Sequence, residues 1–197
     1  MTARRARHDE ALHTVHPAAV AQLRRVFEQL DLPGESILRP LGLADRQGAH
    51  RAPRSSFLAA KALASRTTKD PCLGFRLGAS MRLEDFGLLG VAMFHATSFR
   101  EALRIGVEHV ATWEQGTCVE VVRSRPGRLR VRYESRTPSS ALATTIDGQQ
   151  SVVFLLGVAR TLLGPSAHLT AGFACAPPRH PHCAPPPGVE SHFRTAD

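Results

Sequence analysis

The sequence predicts an α+β domain in which an antiparallel sheet with a β-hairpin is packed on one face by several helices. Three observations predict it. Apolar residues recur at helical spacing in several segments, two alternating segments flank a proline–glycine turn, and arginines occupy one side of that alternation. A hydrophobic content of 43% over 197 residues is enough for one packed domain.

In the N-terminal segment, residues 1–16, apolar residues do not recur at the spacing of a helix or a strand. Residues 1–16 begin with a basic stretch that no apolar stretch follows, so we expect a flexible basic tail without a secretory signal. A nucleic-acid-binding arm is the alternative. The folded domain is expected over residues 17–197, starting with a helix at Pro17. The apolar residues of this helix recur three or four apart: Val20, Leu23, Phe27 and Leu30.

The middle of the chain predicts further helices. Residues 53–66 read as a helix and residues 72–81 as a helical turn. Residues 86–94 are apolar throughout, so helix and buried strand stay open, and we expect the segment inside in either case. Ser98 and Glu101 form a capping box that begins a helix. Its apolar face is predicted to hold Phe99, Leu103, Gly106, Val107, Val110 and Trp113.

A hairpin is predicted next, because two alternating segments, 117–124 and 129–133, flank a turn over 125–128. Its polar side carries a row of arginines: Arg123, Arg125, Arg128, Arg130 and Arg132. We expect a solvated sheet face, with contact to a phosphate backbone as the alternative.

The C-terminal part predicts a heavily buried helix over 141–163, which Ser139 or Ser140 caps and Gly164 closes. Strands are expected over 169–173 and 189–193, with an irregular proline-rich stretch between them.

The number and spacing of the cysteines and histidines indicate which redox state and which metal site to expect. Four cysteines without an export signal favour reduced thiols and a cytoplasmic location. Cys175, His180, His182 and Cys183 are residue types that bind zinc and lie within nine residues. Their spacing matches no common zinc finger, so we expect a surface loop, with a metal site as the alternative.

The enzyme class lacks support. A nucleophile elbow, a phosphate-binding loop and a two-histidine metal helix are all missing, and the pair Gly74 and Gly78 is a weak signal. Asp85, His95 and His109 have no spacing that links them. We expect no catalysis, no cofactor and, without about 18 uninterrupted apolar residues, no membrane span. The net charge of +8 is almost all arginine and sets solubility and steering rather than a defined site.

Three motifs in succession carry a resemblance to a known family. LGFRLG at 73–78, DFGLLG at 85–90 and TSFREAL at 97–103 resemble the N-terminal effector domain of AraC-type transcriptional regulators, in the subgroup that is not cupin-like. The hairpin, the long helix and the last strand follow in the order found there. The resemblance covers about residues 17–197.

The resemblance implies a small-molecule-sensing and dimerisation domain of a bacterial one-component regulator, acting as a cytoplasmic homodimer. It implies that DNA is bound only through a separate C-terminal domain of two helix-turn-helix units, which is absent from these 197 residues. The alternatives are a direct nucleic-acid-binding module that uses the arginine row, and a small enzyme of unrecognised type.

The matching motifs are structural and carry no ligand residues over from the family. A ligand pocket should be mostly apolar with a few convergent polar groups. Phe94, His95, Trp113 and Tyr133 supply that mixture near the junction of the apolar run, the helix and the hairpin, so they are the predicted ligand-binding residues. Plain core packing is the alternative for each.

Overall fold

Seven α-helices and six β-strands make up the part of the chain that the computed structural model describes, which is residues 13–44, 50–123, 129–173, 183 and 189–193. The α+β class is therefore confirmed. The helices are α1 (Pro17–Gln29), α2 (Gly34–Leu38), α3 (Arg54–Thr68), α4 (Leu73–Ser80), α5 (Leu88–Phe94), α6 (Phe99–Trp113) and α7 (Ala141–Leu163). The strands are β1 (Thr14–Val15), β2 (Ala52–Pro53), β3 (Thr117–Arg123), β4 (Leu129–Ser135), β5 (Leu169–Phe173) and β6 (Val189–Phe193).

Residues 13–16, which the sequence assigned to the tail, pack against the folded part of the chain. Val15 is fully buried, and β1 pairs with β2 in antiparallel register. The backbone N–H of His16 donates to the Trp113 carbonyl at 2.7 Å, and Thr14 donates to the Gln115 side chain. Residues 13–16 are thus packed, because their backbone groups find partners in α6 and β2. The rest of the predicted tail, 1–12, lies outside the described residues.

The two helices with the clearest predicted starts have the expected caps. The hydroxyl of Ser98 accepts from the Glu101 N–H at 3.2 Å, and that of Ser140 accepts from the Ala143 N–H at 3.2 Å. The capping box is only half formed, since the Glu101 carboxylate accepts from the backbone N–H and hydroxyl of Thr97 and not from Ser98. Helix α7 spans the predicted residues 141–163.

The apolar run 86–94 consists largely of the helix α5, Leu88–Phe94, which has one side in solvent, so the expectation of an interior segment is wrong. Gly90 and Met93 are buried, whereas Leu88 is 89%, Val91 51% and Phe94 52% exposed. A helix this short at the edge of the fold buries one side only, and residues three apart share a side. We call Leu88, Val91 and Phe94 the apolar face of α5.

Glycines allow α4 to lie directly on α7. A Cβ atom at Gly74 would lie 2.8 Å from the carbonyl oxygen of Ile146, and one at Gly78 would lie 2.5 Å from that of Gln150. Residues four apart share a helix face, so both glycines of the LGFRLG motif meet the same partner. The close contact between the two helices explains why glycines occupy positions 74 and 78, which carried only a weak phosphate-binding signal in the sequence.

The strands of the described residues form three separate two-stranded sheets rather than one. Strands β3 and β4 form the predicted antiparallel hairpin, with Val119 opposite Tyr133 and Val121 opposite Val131. Arg130 and Arg132 are exposed, and Arg132 lies 3.8 Å from Glu120 on the facing strand. Arg125 and Arg128 lie outside the described residues. The described part of the arginine row is thus a solvated face with an acidic partner.

The last predicted strand is confirmed as β6, which pairs with β5 in parallel register. Phe173 of β5 stacks on Phe193 of β6 at a centroid distance of 5.2 Å and contacts Phe75 of α4 at the same distance. The aromatic contacts attach this sheet to α4, next to the contact between α4 and α7.

Two cysteines are paired, so the expectation of reduced thiols is wrong for them. Cys72, at the start of α4, forms a disulfide with Cys183, and their Cα atoms lie 4.9 Å apart. Both residues are buried, and their Cα separation is within the range that a disulfide requires. Cys118 is free and half-buried.

Candidate functional site

Buried charged side chains converge where α3, α6 and α7 meet the hairpin. Arg54, the first residue of α3, is 0% exposed; its guanidinium lies 2.7 Å from Glu114 Oε1 and 2.9 Å from Asp147 Oδ2. Lys61 follows two turns later on the same side of α3, and its Nζ lies 2.6 Å from Asp147 Oδ1. We call this cluster the polar hub. Its members are Arg54, Lys61, Glu114, Tyr133, Asp147 and the hydroxyls of Thr117 and Ser135.

The hairpin contributes hydroxyl groups to the polar hub because of its register. Thr117 lies opposite Ser135, and Tyr133 lies two residues before Ser135, so all three side chains share one face of the hairpin. Arg54 donates to the hydroxyls of Ser135 at 2.6 Å, Thr117 at 3.0 Å and Tyr133 at 3.2 Å. The open end of the hairpin is thereby fixed to the first turn of α3.

Electrostatics keep the polar hub ionised around Asp147. Burial raises the pKa of Asp147, but the charges of Lys61 and Arg54 lower it by more, so the net pKa lies below its ordinary value. Burial raises the pKa of Tyr133 well above its ordinary value, so the phenol keeps its proton and donates to Asp147. Burial and the nearby Asp147 raise the pKa of Glu114. Two cations and two carboxyl groups leave the cluster almost neutral.

The polar hub therefore connects several secondary-structure elements to one another. Each of its charged groups faces an opposite charge or a hydroxyl, which offsets the loss of hydration on burial. The hub connects the first turn of α3, the end of α6, the hairpin and the middle of α7 through side-chain contacts alone.

A small cavity lies next to the polar hub, between α1, α3, α4 and α7. Its apolar walls are Leu23, Val26, Phe57, Leu77 and Met81. Its polar walls are the side chains of Gln22 and Gln150. The cavity volume of about 10 Å³ is room for roughly one water molecule. Phe57 connects the cavity to the hub, because its ring lies 4.5 Å from Lys61 Nζ.

Of the four predicted ligand-binding residues, the structure buries Trp113, half-buries Tyr133 and exposes Phe94 and His95. Trp113 is 8% exposed and packs between His16, at 5.6 Å, and Phe86, at 4.7 Å. Tyr133 belongs to the polar hub. Phe94 and His95 are exposed and contact each other edge to face. The four side chains do not line the cavity described above, and their role in ligand binding stays a prediction.

Two other candidate residues, Asp85 and Cys183, make contacts that stabilise the fold. Asp85 accepts from the Arg82 N–H at 2.8 Å and lies 2.5 Å from Arg25, so it connects α1 to the turn before α5. Cys183 is bonded to Cys72 and its sulfur is therefore not available to a metal. Cys175, His180 and His182 lie outside the described residues. Within the described ranges there is no group of three or more residues able to hold a metal ion.

Sequence reasoning missed the polar hub and the cavity, although one signal for the hub was present. Lys61 stands four residues after Phe57 on the apolar side of α3, and Asp147 is the first charged residue of the mainly apolar α7. A charge on an apolar helix face is rarely left without a buried partner. The cavity has no such signal, because four separate helices form it.

The mostly apolar cavity thus lies beside a buried charge network. Comparison with known protein families shows the class of the protein. Residues 32–185 match the N-terminal arabinose-binding domain of AraC transcription regulators. The chain belongs to this family, which is a regulatory ligand-binding family and not an enzyme family.

Comparison with curated proteins found no significant match. None of the helices described here is both long enough and apolar enough to cross a membrane.

Proposed function

We propose that this chain senses a small-molecule effector inside the domain, associates with a second copy of itself, and performs no catalysis. The observation that carries the proposal is the position of the cavity. One of its walls, Phe57, lies against Lys61 of the polar hub at 4.5 Å. A ligand that enters the cavity displaces Phe57 and so acts on the cluster that connects α3, α6, α7 and the hairpin.

The mechanism is a shift between two arrangements of these elements. A ligand that binds one arrangement more tightly increases its population by its differential affinity. DNA is bound through a separate C-terminal domain, and the arrangement of the sensing domain biases that domain. The cytoplasm is the compartment in which such a regulator meets both effector and DNA. Glu120 beside Arg132 supports a solvated role for the arginine row and not a phosphate-binding one.

Titration with a panel of metabolites tests effector sensing. We expect at least one compound to change the emission of Trp113, the only tryptophan, because its neighbour Glu114 belongs to the polar hub. The same compound at about 100 times its Kd should raise the free energy of unfolding by about 2.7 kcal/mol. Trp113→Phe is the control: if the ligand still stabilises this variant, Trp113 reports binding and does not line the pocket. A panel without one saturable response contradicts sensing.

Self-association is proposed through the apolar face of α5. Leu88, Val91 and Phe94 form an exposed apolar surface on a helix without a charged residue. A chain of net charge +8 repels its own copy wherever arginines are exposed, and this face is free of that repulsion. A second copy is therefore the partner that suits it best, in a two-fold contact that places the same face on both chains.

Val91→Glu tests this contact. We expect the unsubstituted chain to sediment as a dimer and the variant to sediment at the monomer mass of 21.4 kDa, because two carboxylates would meet across the two-fold axis. Leu163→Glu is the matched control, since Leu163 is 46% exposed at the end of α7 and does not belong to the apolar face of α5. A monomeric parent chain, or a dimer that survives Val91→Glu, contradicts the contact.

A further inference from the structure

The side-chain oxygen of Gln150, a residue that lines the cavity, lacks a hydrogen-bond partner among the described residues. Gln150 is 8% exposed, and its Nε2 lies 3.0 Å from the sulfur of Met81. A thioether can only accept a hydrogen bond, so the N–H end of the amide must face the sulfur. The Oε1 atom is left buried with no hydrogen-bond partner in the described part of the chain. A buried acceptor in this state is stabilised by any donor that reaches it.

The backbone around Gln150 is held rigidly. Its carbonyl oxygen lies so close to Gly78 of α4 that a Cβ atom there would be 2.5 Å away, and the same close approach recurs one turn earlier at Gly74. This contact fixes the position of Gln150 on α7. The backbone from which the Gln150 side chain projects is therefore in place before a ligand binds, and only the side chain remains to be ordered.

The remaining walls define the chemistry of a ligand. All lining residues are uncharged, and Gln22 is the only polar one besides Gln150. A charged ligand would lose its hydration there without an opposite charge to replace it. Met81, which caps the C-terminal end of α4 and is only half-buried, is unbranched and adaptable. Its displacement would enlarge the cavity from the size of a water molecule.

We propose that this cavity is an effector site for a neutral, mainly apolar small molecule that carries one hydrogen-bond donor, directed at Gln150 Oε1, and that Met81 moves aside to admit it. This inference rests on the proposed sensing function and names the ligand class and the orienting residue. Its two components are separable: the apolar walls select the body of the ligand, and Gln150 selects the donor.

Methionine-methyl NMR with phenol and anisole as probes tests the inference on the whole chain. Met81 lines the cavity, whereas Met93 of α5 packs against Gly106 of α6 and serves as an internal control. We expect phenol to shift the Met81 methyl signal in a saturable manner and to leave Met93 unchanged. Anisole has a methyl ether in place of the donor and should bind about threefold to tenfold more weakly. Benzoate, which is charged, should not shift Met81.

Gln150→Leu should abolish the difference between phenol and anisole, because the acceptor is gone while the apolar walls remain. Gln29→Leu is the matched control, since Gln29 is exposed at the end of α1 and should keep the difference. The inference is overturned if phenol leaves Met81 unshifted, if anisole binds as tightly as phenol, or if Gln150→Leu keeps the preference.

The outcomes separate this inference from the proposed function. A metabolite that changes Trp113 emission without shifting Met81, and that binds Gln150→Leu unchanged, supports sensing and excludes this cavity. Phenol bound at Met81 without any metabolite response in Trp113 supports the cavity and contradicts sensing.

Discussion

Asp147→Asn is expected to lower the free energy of unfolding by about 3–5 kcal/mol, because it removes one partner of a buried charge cluster. The two cations that Asp147 faces, Arg54 at 2.9 Å and Lys61 at 2.6 Å, are 0% and 1% exposed. An amide oxygen retains a hydrogen bond to one of them but supplies no compensating charge. Urea unfolding followed by circular dichroism measures the loss.

Glu120→Gln is the matched control for Asp147→Asn. Glu120 pairs with Arg132 on the exposed face of the hairpin, where both side chains are more than half exposed. An exposed pair of this kind contributes about 0–1 kcal/mol, so the control should unfold almost as the parent chain does. If both variants lose the same small amount, the polar hub does not hold the fold together.

The pH dependence of the free energy of unfolding gives a second measurement on the polar hub, with the variants Asp147→Asn and Glu114→Gln. The folded-state pKa of Asp147 is lowered, so its contribution to stability is present above the unfolded pKa of about 3.9 and is lost as the pH falls through the folded value. Asp147→Asn should therefore flatten the acid side of the stability profile. Glu114 acts in the opposite direction, because its raised pKa makes the folded state lose stability as the pH rises above about 4.3. Glu114→Gln should accordingly cost less at neutral pH than Asp147→Asn.

Local signals predicted the regular elements well. Helix α7 begins and ends at the predicted residues because Ser140 caps its first turn and Gly164, with a φ of +81°, ends it. The hairpin follows from its alternation and from the turn between its strands. Each of these signals depends on residues within one turn or one strand pair, which a sequence shows directly.

The features that failed depend on contacts between distant segments. The run 86–94 is apolar on every side, so its sequence does not indicate which side meets solvent. The expectation that Leu88, Val91 and Phe94 lie in the interior was therefore wrong. The polar hub joins Arg54 to a residue that is 93 positions away, and no local period indicates that pairing. The predicted pocket of four aromatic and polar residues relied on nearness in the chain. The structure gives Trp113 and Phe94 different surroundings, and the role of the four residues in ligand binding stays a prediction.

Loss of the disulfide between Cys72 and Cys183 is expected to lower the free energy of unfolding by about 4–5 kcal/mol. The two cysteines are 111 positions apart, and closing a loop of roughly this length restricts the unfolded chain by about that much. The double variant Cys72→Ala, Cys183→Ala should show the loss in urea. The parent chain should show it only when a phosphine reductant is present during unfolding, since both cysteines are buried in the folded state.

The free thiol of Cys118 supplies the control for the disulfide. Cys118 is half-buried on β3, and Cys118→Ser should change the free energy of unfolding by less than about 1 kcal/mol, with or without reductant. The bond attaches residue 183 to the start of α4, and α4 in turn lies on α7 through Gly74 and Gly78. The helix that bears Gln150 and Asp147 is thus held from one side by the disulfide-bonded α4 and from the other by the polar hub. A reductant that leaves the unfolding of the parent chain unchanged would show that the two sulfurs are not bonded, and α4 would then be held by its glycine contacts alone.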